Sequence, residues 1–198
     1  INAFAVALTE EAIALREAGI AKPILVLQGP HSSDDLIEIA RHGLWPALSN
    51  RHQIRWLQDQ TPSLEHVWLK VDTGMHRLGF DPQEVGEINA VLTAMGIPRI
   101  TLMSHLADAE DRDSMLSHHQ KQRWQNLLER NTGASDRYPD ASFSNSAGTV
   151  GQLSFEESWV RLGYSLYGGS LVAPPPNLDL RPVMTFSSKV MATRWIEA

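Results

Sequence analysis

Short apolar runs alternate with helix-like segments along most of this 198-residue chain, and this alternation limits the folds available to it. The runs are rich in Ile, Val and Leu and do not switch strictly between apolar and polar residues, which is typical of strands buried on both faces. Seven such strands are predicted, at residues 4–7, 23–27, 45–48, 66–71, 100–103, 142–144 and 159–162. Strands separated by helices predict a parallel sheet that is covered by helices.

A sheet of this kind either stays open and doubly wound or closes into a (β/α)8 TIM barrel. No G-x-G-x-x-G run follows a strand and no Walker-type glycine–lysine loop is present, so the usual nucleotide sites are not indicated. A barrel brings its strand ends together on one face, and polar residues follow several predicted strands here. They are Lys70, Asp72, His105, Asp108, Asn145, Ser146 and Arg161. The predicted fold class is therefore an α/β (β/α)8 TIM barrel that lacks its first strand, since seven strands are one short of eight.

The last part of the chain departs from this pattern. Residues 173–176 read Ala-Pro-Pro-Pro, and residues 183–196 form one long extended run. We expect residues 1–172 to form an incomplete barrel domain that carries the functional site. Residues 173–198 are expected to be a linker and the start of a connection to a C-terminal β domain, with a strand leaving the barrel at 183–196.

The charge and cysteine content exclude several classes of function. The chain has 17 basic and 23 acidic residues, a net charge of −6 and no basic run, which argues against a nucleic-acid partner. It contains no cysteine, so it has neither disulfides nor thiolate metal sites, and no metal site is predicted. The sequence has no apolar run long enough to indicate a membrane span. We therefore expect a soluble cytoplasmic domain.

One stretch of the sequence is far more specific than the rest. Residues 69–80 read Leu-Lys-Val-Asp-Thr-Gly-Met-His-Arg-Leu-Gly-Phe, which resembles the signature of bacterial alanine racemases, a family of pyridoxal-phosphate enzymes. The resemblance extends through Ser-His at 104–105, Asn-Ser-Ala at 145–147, Val-Arg-Leu-Gly-Tyr at 160–164 and Leu-Tyr-Gly at 166–168. It also includes residues near the start of the chain, at 4–7, 11–12, 15–16 and 23–27, and therefore covers nearly the whole chain.

This resemblance implies two residues with catalytic roles. Arg77 is implied to bind the phenolic oxygen of the cofactor and the carboxylate of alanine, which suits a planar guanidinium. Lys70 lies within a predicted strand, where an uncompensated ammonium is costly. The family implies a carbamylated Lys70 that orients Arg77, and an unmodified lysine paired with Asp72 is the alternative.

The resemblance also assigns residues to the cofactor ring. Arg161 is implied to face the pyridine nitrogen, where most pyridoxal-phosphate enzymes place a carboxylate. Because a guanidinium keeps its proton, it leaves that nitrogen unprotonated and the substrate carbanion less delocalised. His105 is implied to pack on the ring.

A phosphate group requires several donors that converge near a helix start. The resemblance implies that Ser146 and the backbone N–H groups of Gly163 and Tyr164 supply them, with Asn145 beside them. A serine that follows an asparagine is also an ordinary helix start, so this pair alone has a purely structural reading.

The activity implied by the family is interconversion of L- and D-alanine for peptidoglycan synthesis, in a homodimer that uses pyridoxal 5′-phosphate. The family's cofactor lysine would lie before Phe4, and the context around it is absent at Lys22, Lys70, Lys121 and Lys189. The catalytic tyrosine would lie beyond Ala198, in the partner's site. We therefore expect these 198 residues alone to be inactive.

Two alternatives share the predicted barrel. One is a metal-dependent hydrolase whose two metals are bridged by a carbamylated Lys70. The chain has no His-x-His pair, however, and places Ser146 and Arg161 where such an enzyme needs histidines. The other alternative is a non-catalytic pyridoxal-phosphate carrier on the same kind of barrel.

Overall fold

The computed structural model describes residues 1–132, 140–151 and 157–196 and contains a curled half-barrel of parallel strands. The sheet has six strands in chain order. They are β1 (Phe4–Val6), β2 (Ile24–Val26), β3 (Trp45–Leu48), β4 (Val67–Lys70), β5 (Ile100–Met103) and β6 (Ala141–Ser142). This sheet confirms the predicted fold class.

Helices follow the strands as the alternating pattern predicts. They are α1 (Thr9–Glu17), α2 (Ser33–Arg41), α3 (Arg51–Gln60), α4 (Val85–Ala94), α5 (Met115–Thr132) and the short α6 (Ser146–Val150), with a 3-10 turn at Tyr164–Tyr167. Side chains cap the starts of α2 and α3: the Ser32 hydroxyl accepts the N–H of Asp35, and Asn50 accepts the N–H groups of His52 and Gln53. Within the described residues, each helix is too short or too polar to cross a membrane.

The two faces of the sheet carry different cores. Residues that alternate along a strand point to opposite faces, so Val67 and Leu69 of β4 pack with the helices. Trp68 lies on the inner face, in a smaller cluster with Leu25, Trp45, Ala47 and Met103. Lys70 follows Trp68 by two residues and therefore lies on the inner face too, at the carboxyl end of β4.

The predicted strand at 159–162 is wrong, because these residues have no regular secondary structure. Ser158 and Trp159 both donate a backbone hydrogen bond to the carbonyl oxygen of Ala141, at 3.0 and 3.2 Å. The carboxylate of Glu157 accepts the N–H groups of Phe143 and Ser144 at 2.6 and 3.0 Å. Because a side chain occupies these donors, the segment runs beside β6 without forming a regular ladder.

The predicted strand at 183–196 is likewise not formed. This segment has no regular secondary structure, and Phe186, Met191 and Trp195 are almost fully exposed. A strand is stabilised by a neighbouring strand, and among the described residues none lies alongside this one.

Candidate functional site

The sequence motif forms a loop, residues 71–80, that is closed at its base. Val71 pairs with Phe80, the N–H of Asp72 donates to the carbonyl oxygen of Phe80, and the N–H of Phe80 donates to that of Lys70, both at 2.9 Å. Gly79 makes this closure possible, with φ at +127°. A Cβ at Gly79 would lie 2.6 Å from the nitrogen of Asp72, so only glycine fits there.

Asp72 organises the inside of this loop. Its carboxylate accepts the N–H groups of Gly74 and His76 at 2.9 and 3.1 Å, and it lies 3.3 Å from Nδ1 of His76. Burial would raise the pKa of Asp72, but the backbone donors and the charge of His76 outweigh it and hold the pKa below its ordinary value. Arg77, which follows His76 in the chain, is exposed.

Lys70 is a buried ammonium on the inner face, only 6% exposed. Burial is the largest cause that lowers its pKa, and the charges of Arg161 and Arg77 lower it further, to about 8. Asp72 opposes this shift only as a distant charge, because no carboxylate of the described chain lies within 4 Å of the Lys70 nitrogen. The expected alternative of a Lys70–Asp72 ion pair is therefore not formed.

Arg161 lies across the ends of β5 and β6. It donates hydrogen bonds to Oγ of Ser142 and to the carbonyl oxygen of Ser104, and Nη2 lies 3.4 Å from the carbonyl oxygen of Phe143. Burial lowers its pKa to about 10, while the Glu157 carboxylate opposes the shift, so Arg161 stays cationic at neutral pH.

His105 lies next to this guanidinium, with Nδ1 3.5 Å from Nη2 of Arg161. Burial lowers its pKa to about 4, and the charges of Arg161, Lys70 and Arg77 act in the same direction. Lys70, His105 and Arg161 therefore form one electrostatically coupled group, which we call the strand-end cluster.

A second group of donors surrounds Ser146 at the start of α6. The Ser146 hydroxyl oxygen accepts the backbone N–H of Gly163 at 3.0 Å and of Ser165 at 3.2 Å. Tyr164 lies between these two residues and is 56% exposed. We call this group the Ser146 turn.

Asn145 lies directly before Ser146 and caps α6. Its side-chain oxygen accepts the N–H of Gly148 at 3.0 Å and so caps α6, while its nitrogen donates to the carbonyl oxygen of Leu106 at 3.2 Å. Both ends of this amide are therefore used within the chain. Asn145 holds the start of α6 against the loop after β5.

Nothing in the sequence indicated the residues that hold the loops around the strand-end cluster by hydrogen bonds. Gln120, fully buried on α5, bonds to both Thr73 and His105. Thr73 in turn lies 2.8 Å from the hydroxyl of Ser104. A glutamine in a helix gives no signal in the sequence, because 47 and 15 residues separate it from these two partners.

A cleft of about 500 Å3 lies on the other side of the 71–80 loop, against α5. Its lining includes Asp72, His76, Arg123 and Arg130, but not the strand-end cluster.

Among the described ranges, no three His, Asp or Glu side chains come together in a way that could hold a metal ion. The metal-dependent alternative therefore gains no support from this part of the chain.

Residues 1–171 match the family described as alanine racemase, N-terminal domain. The chain belongs to this family. Alanine racemase of Pseudomonas entomophila is 37% identical over 202 residues and that of Halorhodospira halophila 40% over 208, each match covering 100% of this chain. This chain spans only about half the length of these curated relatives, 55% of the first and 54% of the second.

Solved structures of the family agree with this assignment. Alanine racemase from Acinetobacter baumannii is 32% identical, with a TM-score of 0.81, and the match covers 96% of this chain and 53% of that one. The biosynthetic enzyme from Pseudomonas aeruginosa is 29% identical, with a TM-score of 0.78, over 91% and 50%. The family predicted from residues 69–80 is therefore confirmed.

Proposed function

We propose that this chain is the cofactor-binding barrel part of an enzyme that interconverts L- and D-alanine with pyridoxal 5′-phosphate. The observation that carries the proposal is the strand-end cluster at the carboxyl ends of the strands, in which the Arg161 guanidinium lies 3.5 Å from the His105 imidazole and the charges of Arg161 and Lys70 both act on His105. Chemistry in barrels is carried out at this face. The family to which the chain belongs supplies the reaction class.

The Ser146 turn fits the phosphate group. The N–H groups of Gly163 and Ser165 lie within 3.2 Å of the Ser146 hydroxyl, and the N–H of Tyr164 lies between them in the chain. The N–H groups of Gly163 and Ser165 donate to the Ser146 hydroxyl in this structure, so a phosphate oxygen would replace that hydroxyl as their acceptor. Ser146, Gly163 and Tyr164 would hold the phosphate, while Asn145 fixes the turn.

Arg161 fits the ring nitrogen. Its Nη atoms bond to Ser142 and Ser104, and no described residue accepts a hydrogen bond from Nε, so a donor is free for a ring nitrogen. When bound, the cofactor withdraws electrons from the substrate carbon whose proton is exchanged. Because Arg161 keeps its own proton at neutral pH, it would moderate that withdrawal.

His105 and Arg77 would complete the surroundings of the cofactor and substrate. With a pKa of about 4, His105 is a neutral imidazole at physiological pH and can pack on a ring without adding charge. Arg77 is exposed on the 71–80 loop, and no described residue accepts a hydrogen bond from its guanidinium. That leaves it free for the alanine carboxylate or the phenolic oxygen.

Lys70 would carry a carbamate. Burial and the charges of Arg161 and Arg77 lower the pKa of Lys70 to about 8, so the neutral amine is available near pH 8. Carbamylation would replace this cation with an anion that attracts both guanidinium groups. The negative group would then hold Arg77 in position for the substrate.

The proposal extends to the complete protein. It would act as a homodimer in the cytoplasm and supply D-alanine for peptidoglycan. The family's cofactor lysine and catalytic tyrosine are expected outside these 198 residues. The isolated chain is therefore proposed to have no racemase activity.

Pyridoxal-phosphate binding and D-alanine production test the proposal. The full-length protein is expected to show a cofactor absorbance band and to racemise alanine, whereas the 198-residue chain shows no turnover. Ser146→Ala and Arg161→Leu are expected to weaken cofactor binding about 10-fold or more. Arg41→Leu removes an exposed arginine that pairs with Glu38, so it serves as the matched control. Full-length protein that neither binds the cofactor nor racemises alanine would refute the proposal.

A further inference from the structure

Gln120 joins two loops that carry residues of the site. Its Nε2 donates to the carbonyl oxygen of His105 at 2.8 Å and to Oγ1 of Thr73 at 3.2 Å, and its Oε1 accepts the N–H of Ala107 at 2.9 Å. Thr73 belongs to the 71–80 loop, and His105 and Ala107 belong to the loop after β5. A single side chain therefore spans both loops.

These contacts fix the orientation of the amide without ambiguity. The carbonyl of His105 can only accept a hydrogen bond and the N–H of Ala107 can only donate one, so nitrogen and oxygen of the amide cannot exchange places. Both hydrogens on Nε2 are used. Gln120 is 0% exposed, and a fully satisfied polar group at such a site holds its partners rigidly.

The neighbouring residues on α5 act on the same loops. The hydroxyl of Ser117 donates to the carbonyl oxygen of Asp108 at 2.7 Å, and Nη1 of Arg123 donates to that of Thr73 at 3.2 Å. Ser117, Gln120 and Arg123 are spaced by three residues and so share one side of the helix. Gln120 is the member that reaches both loops.

We propose that Gln120 is a positioning residue that fixes the 71–80 loop relative to His105 and thereby sets the separation of Arg77 from the cofactor ring. This inference rests on the proposed function, because it concerns the placement of residues assigned there to pyridoxal phosphate and alanine. Gln120 itself touches neither, and it acts through the His105 carbonyl and Thr73.

The chain offers a matched control in Gln53, which is 3% exposed. Its Nε2 donates to the carbonyl oxygens of Gln28 and Pro30 at 3.1 and 3.0 Å, and its Oε1 accepts the N–H of Ser49 at 2.7 Å. Gln53 thus joins the loops after β2 and β3 in the same way, and none of its hydrogen-bond partners belongs to the strand-end cluster. Replacing Gln120 removes three hydrogen bonds, and replacing Gln53 removes three comparable ones and a longer one from the Ser49 hydroxyl at 3.4 Å.

The experiment compares Gln120→Met with Gln53→Met in the full-length protein, using hydrogen exchange by mass spectrometry and pyridoxal-phosphate titration. For Gln120→Met we expect faster exchange confined to residues 72–80 and 104–109, and cofactor binding weakened about 10-fold. For Gln53→Met we expect faster exchange near Ser49 and a cofactor Kd within about twofold of the parent. Gln120→Glu keeps the acceptor for Ala107 and loses both donors, so it should weaken the cofactor while residue 107 stays protected.

The outcomes of these measurements either support or refute the positioning role of Gln120. An unchanged cofactor Kd in Gln120→Met, or an equal loss in both methionine variants, would overturn the proposal. If the parent protein binds no pyridoxal phosphate, the proposed function fails. The positioning role of Gln120 is then tested by hydrogen exchange alone. In that case an increase confined to the two loops supports the positioning role, and an increase throughout the chain refutes it. If Gln120→Met does not fold, Gln120→Glu is compared with Gln53→Glu, and the same cofactor Kd criterion applies.

Discussion

Nη2 of Arg161 lies 3.5 Å from Nδ1 of His105, at the carboxyl ends of the strands. An imidazolium here would be buried beside a permanent cation, with Lys70 and Arg77 adding further positive charge. Burial and these charges together lower the pKa of His105 to about 4. The electrostatics of the site are therefore built around a neutral histidine.

His105 is predicted to stay unprotonated down to about pH 4, as an NMR titration of its ring would show. Arg161→Leu removes the nearest cation, so we expect the midpoint to rise by about 0.5 to 1 unit. Arg41→Leu, which changes a distant surface arginine, should leave the midpoint unchanged. A midpoint near 6.5 in the parent protein would contradict this prediction.

His66 is predicted to make the fold sensitive to acid. It is 1% exposed, Nε2 lies 2.8 Å from Oγ1 of Thr101, and burial, with the charge of Arg99, lowers its pKa to about 4 although Asp140 opposes this. Between pH 6.5 and 4 the unfolded chain binds a proton that the folded chain does not. The free energy of unfolding should therefore fall as the pH drops through this range, by roughly 2 kcal/mol from this residue.

His66→Gln tests this prediction, because glutamine can keep the hydrogen bond to Thr101 and does not titrate. Urea unfolding at pH 7 and pH 4.5 should show a smaller difference in the variant than in the parent. His118→Gln, at an exposed position of α5, should retain the full difference. An equal pH dependence in parent and His66→Gln would show that other groups cause it.

Lys70 is predicted to react with carbon dioxide. Its neutral amine would form a bond to the carbon of carbon dioxide and release one proton to solvent, and with a pKa of about 8 this amine is well populated near pH 8. Carbon-13 NMR in labelled bicarbonate should show one carbamate signal that weakens as the pH falls. Lys70→Gln should abolish the signal and Lys22→Gln should retain it. A signal that survives in Lys70→Gln would assign it elsewhere.

Gly79→Ala is predicted to disrupt the 71–80 loop. The new Cβ would meet the backbone of Val71 and Asp72 at 2.7 and 2.6 Å, so the loop must open, at a cost of about 3 kcal/mol or more. Gly43 also has a positive φ, +58°, but a Cβ added there would meet no atom within 4 Å, so Gly43→Ala should cost only about 1 kcal/mol. Equal losses in thermal unfolding would argue that the close approach at Gly79 is unimportant.

Much of the fold follows from local signals in the sequence. The six strands were predictable because their apolar runs are continuous, and the starts of α2 and α3 because Ser32 and Asn50 are strong capping residues. The grouping of Lys70, His105 and Arg161 was predictable for a different reason. Parallel strands place their carboxyl ends on one face, so residues far apart in sequence meet there.

The remaining features depend on side chains that act at a distance. Residues 159–162 have the composition of a strand, but Glu157 takes the N–H groups of Phe143 and Ser144, which a strand would need. Gln120 similarly reads as an ordinary helical residue until α5 is packed against two loops. Neither contact has a periodicity, so pattern analysis of one sequence cannot reveal it.

The pairing of Val71 with Phe80 has a consequence for how the protein folds. A loop this short loses little conformational entropy when its ends meet, and closure of loops of about ten residues takes place in well under a microsecond. The base of the segment that presents Arg77 can thus close before the strands of the barrel have assembled, while the hydrogen bonds from Gln120 and Arg123 form only when α5 packs against it. The most chemically specific part of the molecule is also one of its most local.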